Sequence, residues 1–428
     1  MRRFLGVFLI SMFSLMCFNF NKAYAGEIDL LLQKLVEKGV LTPGEAQQVK
    51  TETKEEIRKE IVSAKYELLP EWVQRLKFKG DFRMRYQYTR QRAKDDTNQA
   101  RIRVRLGAEA KVNDQMKVGL GLATGSTSDP RSTNVTLGND PTTPGASKTV
   151  ILDYAYGSYS PTTWLTLTGG KFKNPIWQPT DLLWDTDLNP EGLNMQMDYR
   201  LNPSLGLFLN TEMFVLGYDD AKGLNSLMWA FQPGIKYNWR DKVDLRAAVT
   251  GYYFSNITGV GKFAKQSTNS LTRNNQYKYH YNVVNPSLEV GIRDPFSSIP
   301  VLAKYIPYAG MFSDFVYNPD PDTGKSGFDA GIKFGHEKVG DWGQWQSRIL
   351  FSKLGRDAFL DIFPDSDRYN GKTNMKSVEA ILEYGLGKNT SLCLDYYWAK
   401  SLSQQTSGSA SGSYLPQQVV QVDWNLKW

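Results

Sequence analysis

The stretch LKFKGDFRMRYQY, residues 76–88, decides the fold. Every second residue from Leu76 to Tyr88 is apolar or glycine, and the residues between them are lysine, aspartate, arginine or glutamine. Only an extended strand separates two such sets, because its side chains point alternately to opposite faces. Residues 99–112 repeat the pattern. Both stretches are longer than the roughly 9–11 residues with which a tilted strand crosses a bilayer.

Alternating segments of this kind continue to the end of the chain. They lie at 76–89, 99–112, 115–124, 149–160, 163–173, 192–201, 204–216, 226–238, 242–254, 281–293, 303–317, 326–336, 341–353, 375–386, 390–400 and 416–428. Short turns alternate with long connections rich in Gly, Ser, Asn and Asp, a habit of outer-membrane barrels whose two termini are periplasmic. A soluble antiparallel sheet also alternates. The number of segments and the turns between them favour an all-β transmembrane protein, an antiparallel up-and-down barrel of about 16 strands.

Composition narrows the class further. Mean hydropathy is −0.44, and no apolar run approaches the roughly 20 residues of a membrane-spanning helix. The 23 Tyr, 21 Phe and 11 Trp are too many for a disordered chain. The formal net charge of +7 is mild and predicts no nucleic-acid partner.

The chain ends predict secretion and assembly. Arg2 and Arg3, an apolar stretch over 4–18 and Ala23-Tyr24-Ala25 have the layout of a signal peptide at 1–25. Its removal would leave Cys393 without a disulfide partner. At the other end, apolar residues alternate with polar ones up to the last residue and resemble the aromatic-ended signal that the barrel-assembly machinery recognises. These residues are Val420, Val422, Trp424, Leu426 and Trp428.

A helical segment at 26–72 precedes the predicted barrel at 75–428. Apolar residues have helical spacing over 28–38, and Thr42, Pro43 and Glu45 predict a capped second helix. The segment is too small to bury a core of its own. It is either a short periplasmic coiled coil or a loosely structured leader.

A basic wall is predicted inside the barrel. When the aromatic face points to lipid, seven cations point inward on two neighbouring strands: Lys77, Lys79, Arg83, Arg85, Arg101, Arg103 and Arg105. Facing lipid instead would cost about 2–4 kcal/mol for each cation near the midplane. Such a wall concentrates anions in a low-dielectric tube. Alternatively, carboxylates neutralise it and it confers no selectivity.

The C-terminal third carries a resemblance to a known family. Its motifs are Pro307-Tyr308-Ala309-Gly310, Val316-Tyr317-Asn318, Gly327 to Gly335, Gly340-Asp341-Trp342, Arg356-Asp357-Ala358, Asp365-Ser366-Asp367 and Gly371-Lys372-Thr373-Asn374. In this order they resemble the outer-membrane family called Putative porin. Arg368 stands where the family usually has an aromatic residue, so that loop tip is expected to differ.

The resemblance implies a general-porin-like channel in the outer membrane of a Gram-negative bacterium. It implies contact with lipid and lipopolysaccharide and assembly as a homotrimer. In general porins the third outer loop folds into the barrel opposite a basic ladder. Here that loop would be 174–191, with candidate constriction residues Trp177, Asp181, Trp184, Asp185, Asp187 and Glu191.

The residues give little support for an enzyme. His280 and His336 are the two histidines, and a serine hydrolase would need one of them between a nucleophile such as Ser270 or Ser287 and a carboxylate. Without a Cys-x-x-Cys-His motif no haem of its own is expected.

We also expect no metal and no other cofactor. Asp365, Asp367 and Asn370 could bind calcium, but a solvated loop tip is the favoured interpretation. The sequence thus predicts a pore for passive diffusion of small polar or charged solutes, with a preference for anions. The alternative is a scaffold barrel that sheathes an electron-transfer cytochrome or tethers the membrane to the cell wall.

Overall fold

The computed structural model describes residues 34–36, 38, 42–49, 74–91, 94–219, 224–263, 267–403 and 416–428. The chain divides into two units, Met1–Gln74 and Arg75–Trp428. The predicted signal peptide and most of the segment at 26–72 lie outside the described residues. No helix among the described residues is long and apolar enough to cross a membrane.

The described part of the first unit contains a short helix over 43–49. Its start has the predicted capping box. The backbone N–H of Thr42 donates to Glu45 Oε2 over 2.8 Å, and the backbone N–H of Glu45 donates to Thr42 Oγ1 over 3.3 Å. The predicted helix start is therefore confirmed.

The second unit is built from strands. They are β1 Leu76–Gln91, β2 Thr97–Lys111, β3 Met116–Thr124, β4 Val135–Thr136, β5 Val150–Thr162, β6 Leu165–Lys171, β7 Glu191–Arg200, β8 Leu205–Asp219, β9 Leu224–Trp239, β10 Val243–Ser255, β11 Asn282–Arg293, β12 Tyr308–Tyr317, β13 Ser326–Gly335, β14 Trp345–Leu354, β15 Met375–Gly387, β16 Thr390–Ser401 and β17 Gln417–Lys427. A helix spans Pro300–Tyr305 and a 3₁₀ turn spans Tyr369–Gly371.

These strands close into a barrel. Apart from the two-residue β4, which pairs with β2 beside β3, each strand pairs antiparallel with the strands before and after it. The ring closes where β1 pairs with β17, from Asp81↔Lys427 to Gln91↔Gln417. The closed antiparallel barrel of sixteen long strands within the described residues confirms the predicted fold class.

Two predicted strands begin too early. The segment predicted at 341–353 becomes β14 only from Trp345, and the larger departure is at β12. The segment 303–317 was expected to be extended throughout, but a helix occupies Pro300–Tyr305 and β12 begins at Tyr308. Pro300 lies in the first turn of this helix, where its missing N–H and fixed φ are favourable. The apolar residues around 303 therefore follow a helical turn at the rim of the barrel.

The two faces of the wall differ as the alternation requires. On β10, Thr250, Tyr252 and Phe254 are buried, whereas Val249 and Tyr253 are half exposed. The exposed set is the outer face. The buried set packs inside the barrel against loop side chains such as Trp184, Phe359 and Phe363, which form one apolar cluster with β10. The apolar core thus lies inside the barrel.

The C-terminal residue lies beside the first strand. Backbone hydrogen bonds of 3.1 Å run both ways between Gly80 and Trp428. A Cβ at Gly80 would come within 2.5 Å of the Trp428 indole, so the ring requires a glycine there. The role of the terminal residues as an assembly signal stays a prediction.

Candidate functional site

The basic side chains of β1 and β2 line two polar cavities inside the barrel. The large cavity, about 850 Å³ in volume, is lined by Lys79, Arg83, Arg85, Arg103 and Arg105 among others. The small cavity, about 320 Å³, contains Arg101. Lys77 is exposed and lines neither cavity. The structure therefore brings six of the seven predicted wall residues to these cavities.

Carboxylates from distant parts of the chain neutralise most of this wall. Arg85 is buried and pairs with Asp423 at 2.7 Å and with Asp367 at 2.6 Å. Arg83 lies 3.4 Å from the same Asp423. Asp423 belongs to β17, directly opposite Arg85 in the strand register. These two arginines are therefore ion-paired rather than free cations.

The loop between β6 and β7, residues 172–190, supplies a further partner. Arg105 lies 3.1 Å from Asp187 and 2.7 Å from Asp81, and Arg103 lies 2.9 Å from Asp81. Burial alone would raise the pKa of Asp187, but Arg103 and Arg105, together with hydrogen bonds from Thr133, hold it below its usual value. Asp187 is therefore ionised and fixes this loop to the basic wall.

The other predicted residues of this loop have separate positions. Trp184 is buried in the apolar cluster. The Arg246 guanidinium carbon lies 4.4 Å from the centroid of the Trp177 ring. The backbone of Trp177 forms hydrogen bonds with the side chain of Gln232 on β9. Glu191 begins β7, is 62% exposed at its side chain and pairs with Lys171. Asp181, Asp185 and Asp187 line the large cavity.

The loop between β14 and β15, residues 355–374, also enters the barrel, and the sequence did not predict this. Asp365 is only 9% exposed, and Asp367 pairs with Arg85. The interpretation of this segment as a solvated loop tip is therefore wrong for Asp365 and Asp367, whereas Asn370 is exposed. The physical reason is that these carboxylates find cations inside the polar lumen. No group of three or more metal-ligating side chains occurs among the described residues.

Arg368 of the same loop is the most deeply buried cation of the site. It is 2% exposed, and its guanidinium lies 2.5 Å from Asp181, 2.6 Å from Glu379 and 3.3 Å from Asp329. It thereby joins loop β14–β15 to loop β6–β7 and to strands β13 and β15. The departure from the family pattern at this position was the one sequence signal that could have identified it.

Other contacts lock the loops together. The backbone N–H of Ser366 donates to Asp185, and the backbone N–H of Asp185 donates to the Phe363 carbonyl over 2.7 Å. Arg131, from the connection between β3 and β5, donates to the carbonyls of Asp361 and Gly371. Loop β14–β15 thus contacts both loop β6–β7 and the connection between β3 and β5.

Asp185 has an unusual acidity. Burial, followed by the nearby charge of Asp187, raises its pKa to about 7. An ordinary aspartate titrates near pH 3.9. The charge of the large cavity therefore changes around neutral pH.

The serines considered for a hydrolase are engaged elsewhere. The Ser287 hydroxyl donates to Asp314 and the Ser270 hydroxyl donates to Asp357. His280 is exposed, and its backbone N–H donates to Asp320. These contacts do not assemble the nucleophile–histidine arrangement that a serine hydrolase needs.

The family assignment follows from a comparison with family models. The model described as Putative porin matches residues 43–95, 88–317 and 311–428. The chain belongs to this family. No curated protein matches the sequence significantly.

A solved structure of low sequence identity has the same fold. OprB of Pseudomonas putida, in its high-pH structure, is 11% identical; the match covers 86% of this chain and 97% of that chain, with a TM-score of 0.53. OmpF of Salmonella typhi, in complex with daunomycin, is 11% identical over 82% of this chain and 97% of that chain, with a TM-score of 0.48. The porin family and the OprB-like fold make this chain a porin-like barrel of the outer membrane.

Proposed function

We propose that the barrel is a channel through which small polar or charged solutes diffuse passively. The observation that carries the proposal is the pair of polar cavities along the arginine wall. They share Ser366 and Asp367 among their lining residues. A solute that moves from one cavity to the other passes the contact between Asp367 and Arg85.

The narrow point would be built by two loops. The sequence assigned it to 174–191, and Asp181, Asp185 and Asp187 of this loop line the large cavity. Asp367 of loop β14–β15 contacts the wall at Arg85. We propose that both loops form the constriction and that Asp367 lies at its centre.

The charge lining predicts weak ion selectivity in the large cavity. Nine Lys or Arg and eleven Asp or Glu line it. The anion preference expected from the basic wall alone is therefore offset by carboxylates that the wall attracts. We propose that any preference for anions resides where an arginine has no carboxylate within ion-pair distance among the described residues, as at Arg101 in the small cavity.

Orientation and partners follow from the family resemblance. We propose that the N-terminal segment and the C-terminus face the periplasm, that the outer face contacts lipid and lipopolysaccharide, and that the chain assembles as a homotrimer with the help of the barrel-assembly machinery. The half-exposed outer aromatics such as Trp229, Phe231 and Tyr253 suit a lipid surface. A barrel that sheathes a cytochrome is disfavoured, because the apolar core and the inner loops occupy space that a sheathed protein would need.

Single-channel recording of the full-length protein in planar bilayers tests the proposal. We expect discrete conductance steps and, in a salt gradient, a small reversal potential. Insertion without conductance would overturn the channel function and leave only the barrel. A reversal potential close to the full Nernst value would contradict the balanced lining.

Asp185 should make the selectivity depend on pH. Because its pKa is raised to about 7, lowering the pH from about 8 to about 6 protonates it and removes one negative charge from the large cavity. The reversal potential should then shift toward anions. An acid with a raised pKa in the folded state also destabilises that state as pH rises, so the loop packing should be tighter at the lower pH.

The variant Asp185→Asn should reduce this shift. Asp198→Asn, which alters an exposed carboxylate paired with Lys236, serves as the control and should keep it. An identical pH response in Asp185→Asn and in the unaltered protein would show that Asp185 is not the titrating group.

A further inference from the structure

Arg101 differs from the four other arginines of the wall. Arg83, Arg85, Arg103 and Arg105 each have a carboxylate within 4 Å. Among the residues that the structure describes, no carboxylate lies within that distance of Arg101. Its hydrogen bonds go to neutral oxygens, from Nη1 to Gln87 Oε1 over 3.2 Å and from Nη2 to Ser132 Oγ over 3.4 Å.

The guanidinium of Arg101 is also short of acceptors. Its Nε is buried and has no hydrogen-bond partner in the described part of the chain. A desolvated cation that meets only neutral acceptors is unfavourable, because buried charges normally find a counter-charge. The site is therefore electrostatically suited to an incoming anion.

The small cavity around Arg101 has room and polar groups for such a ligand. Its volume of about 320 Å³ is within the range of roughly 300–1,000 Å³ typical of small-molecule sites. Gln99, Thr136 and Asn370 line it with amides and hydroxyls that can donate hydrogen bonds.

The two carboxylates of the small cavity are already engaged. Asp129 pairs with Arg131 at 3.0 Å and Asp367 pairs with Arg85 at 2.6 Å. Neither lies within 4 Å of Arg101, although Asp367 attracts its charge from a longer distance. The repulsion that an anion would meet from these carboxylates is reduced by their own partners.

We propose that the small cavity is a binding site for an oxyanion, a carboxylate or a phosphate group of a permeating solute, held by the fork of Arg101 and by the surrounding amides and hydroxyls. A planar guanidinium binds such groups through two parallel hydrogen bonds. The proposal rests on the channel function and adds a substrate class to it. The channel would thereby favour small organic acids or phosphorylated solutes over neutral solutes of equal size.

Current block in planar bilayers tests the site. Sodium succinate and inorganic phosphate are each added to the full-length protein in a potassium chloride background of about 0.1 M, where charge interactions reach about 10 Å. We expect a saturable reduction of the current by at least one of them. Block by succinate alone would assign the site to carboxylates, and block by phosphate alone would assign it to phosphates. Block by neither overturns the proposal.

The variant Arg101→Gln should raise the half-blocking concentration about 10- to 100-fold, the loss typical of one or two hydrogen bonds to a charged group. Arg105→Gln is the control, because it removes the same charge from the same strand and face. The Arg105 side chain is 27% exposed and is paired with Asp187. This control should change the reversal potential and keep the block. Equal loss of block in both variants would show a general charge effect and overturn the assigned site.

Two further measurements keep the outcome decisive. Arg101→Lys retains the charge but lacks the planar fork of the guanidinium, so it should weaken the block. An unchanged block in Arg101→Lys would contradict the bidentate arrangement. This variant also tests the site if Arg101→Gln does not fold. Titration calorimetry with the detergent-solubilised protein separates this inference from the channel function. Heat of binding that Arg101→Gln abolishes, in a protein that does not conduct, would support the site while overturning the channel.

Discussion

Replacing Arg368 by methionine is expected to destabilise the protein by about 3–5 kcal/mol, the usual cost of removing one partner of a buried ion pair. Asp181, Asp329 and Glu379 would be left without their shared cation, and Asp329 is fully buried. Urea unfolding followed by the mobility shift of the unheated barrel on gels measures the loss. The same variant should conduct more and with more noise, because loop β14–β15 loses one of its contacts with the barrel wall.

Two comparisons distinguish this mechanism from a general charge effect. Lys388→Met removes a cation from an exposed turn and should leave stability within about 0.5 kcal/mol of the unaltered value. Adding Glu379→Gln to Arg368→Met should recover part of the loss, since one fewer buried carboxylate is unpaired. A stability of Arg368→Met equal to that of Lys388→Met would contradict the assigned role.

Replacing residues 356–373 by a short glycine-containing turn should raise the conductance several-fold. Leu354 of β14 already pairs with Met375 of β15, so a tight hairpin can join these strands without changing the register. The replacement removes Phe359 and Phe363 from the apolar cluster and Asp367 from Arg85. Both the inner packing and the proposed constriction would be lost while the wall remains.

Single-channel conductance of the shortened protein measures this effect. Deleting residues 141–146 from the largely exposed part of another connection is the matched control and should leave the conductance unchanged. An unaltered conductance after replacement of 356–373, with a barrel that still migrates as folded, would show that loop β14–β15 does not restrict the path.

The strands could be predicted because their physical cause is local. One face meets lipid and the other meets a polar interior, so residues such as those at 76–88 alternate strictly. The prediction failed at 303–307, where the apolar residues form a helical turn after Pro300 at the rim. At the rim the chain does not lie between lipid and a polar interior. Alternation of apolar and polar residues is therefore not required there.

The inner loops could not be predicted for a related reason. In a soluble protein a polar sequence such as Asp365-Ser366-Asp367 is expected at the surface, because burial of charges is costly. Here the interior of the barrel carries arginines, so a polar loop can be buried by pairing with them, as Asp367 does with Arg85. Composition therefore cannot tell a loop inside a polar lumen from a loop in solvent.

Some of the site was within reach of the sequence. The alternation at the C-terminus places Asp423 on the same face as Gln421. A closed barrel must pair the last strand with the first, and this pairing brings Asp423 opposite Arg85. The sequence could therefore have predicted that Asp423 neutralises the basic wall at Arg85. The partners from loops depend on packing over long sequence separations and leave no local pattern.

The pairing of β1 with β17 has a consequence for the order of events during biogenesis. Its contacts join the first strand of the barrel to the last one, so the ring cannot close until both strands are present. Contacts of such long sequence separation form slowly. Loop β14–β15 lies late in the sequence, and its bonds to Arg131 and Asp185 link it to residues that precede it by 230 and 181 positions. The lumen is therefore expected to fill while the sheet is still open, and the final seam then traps the loops inside.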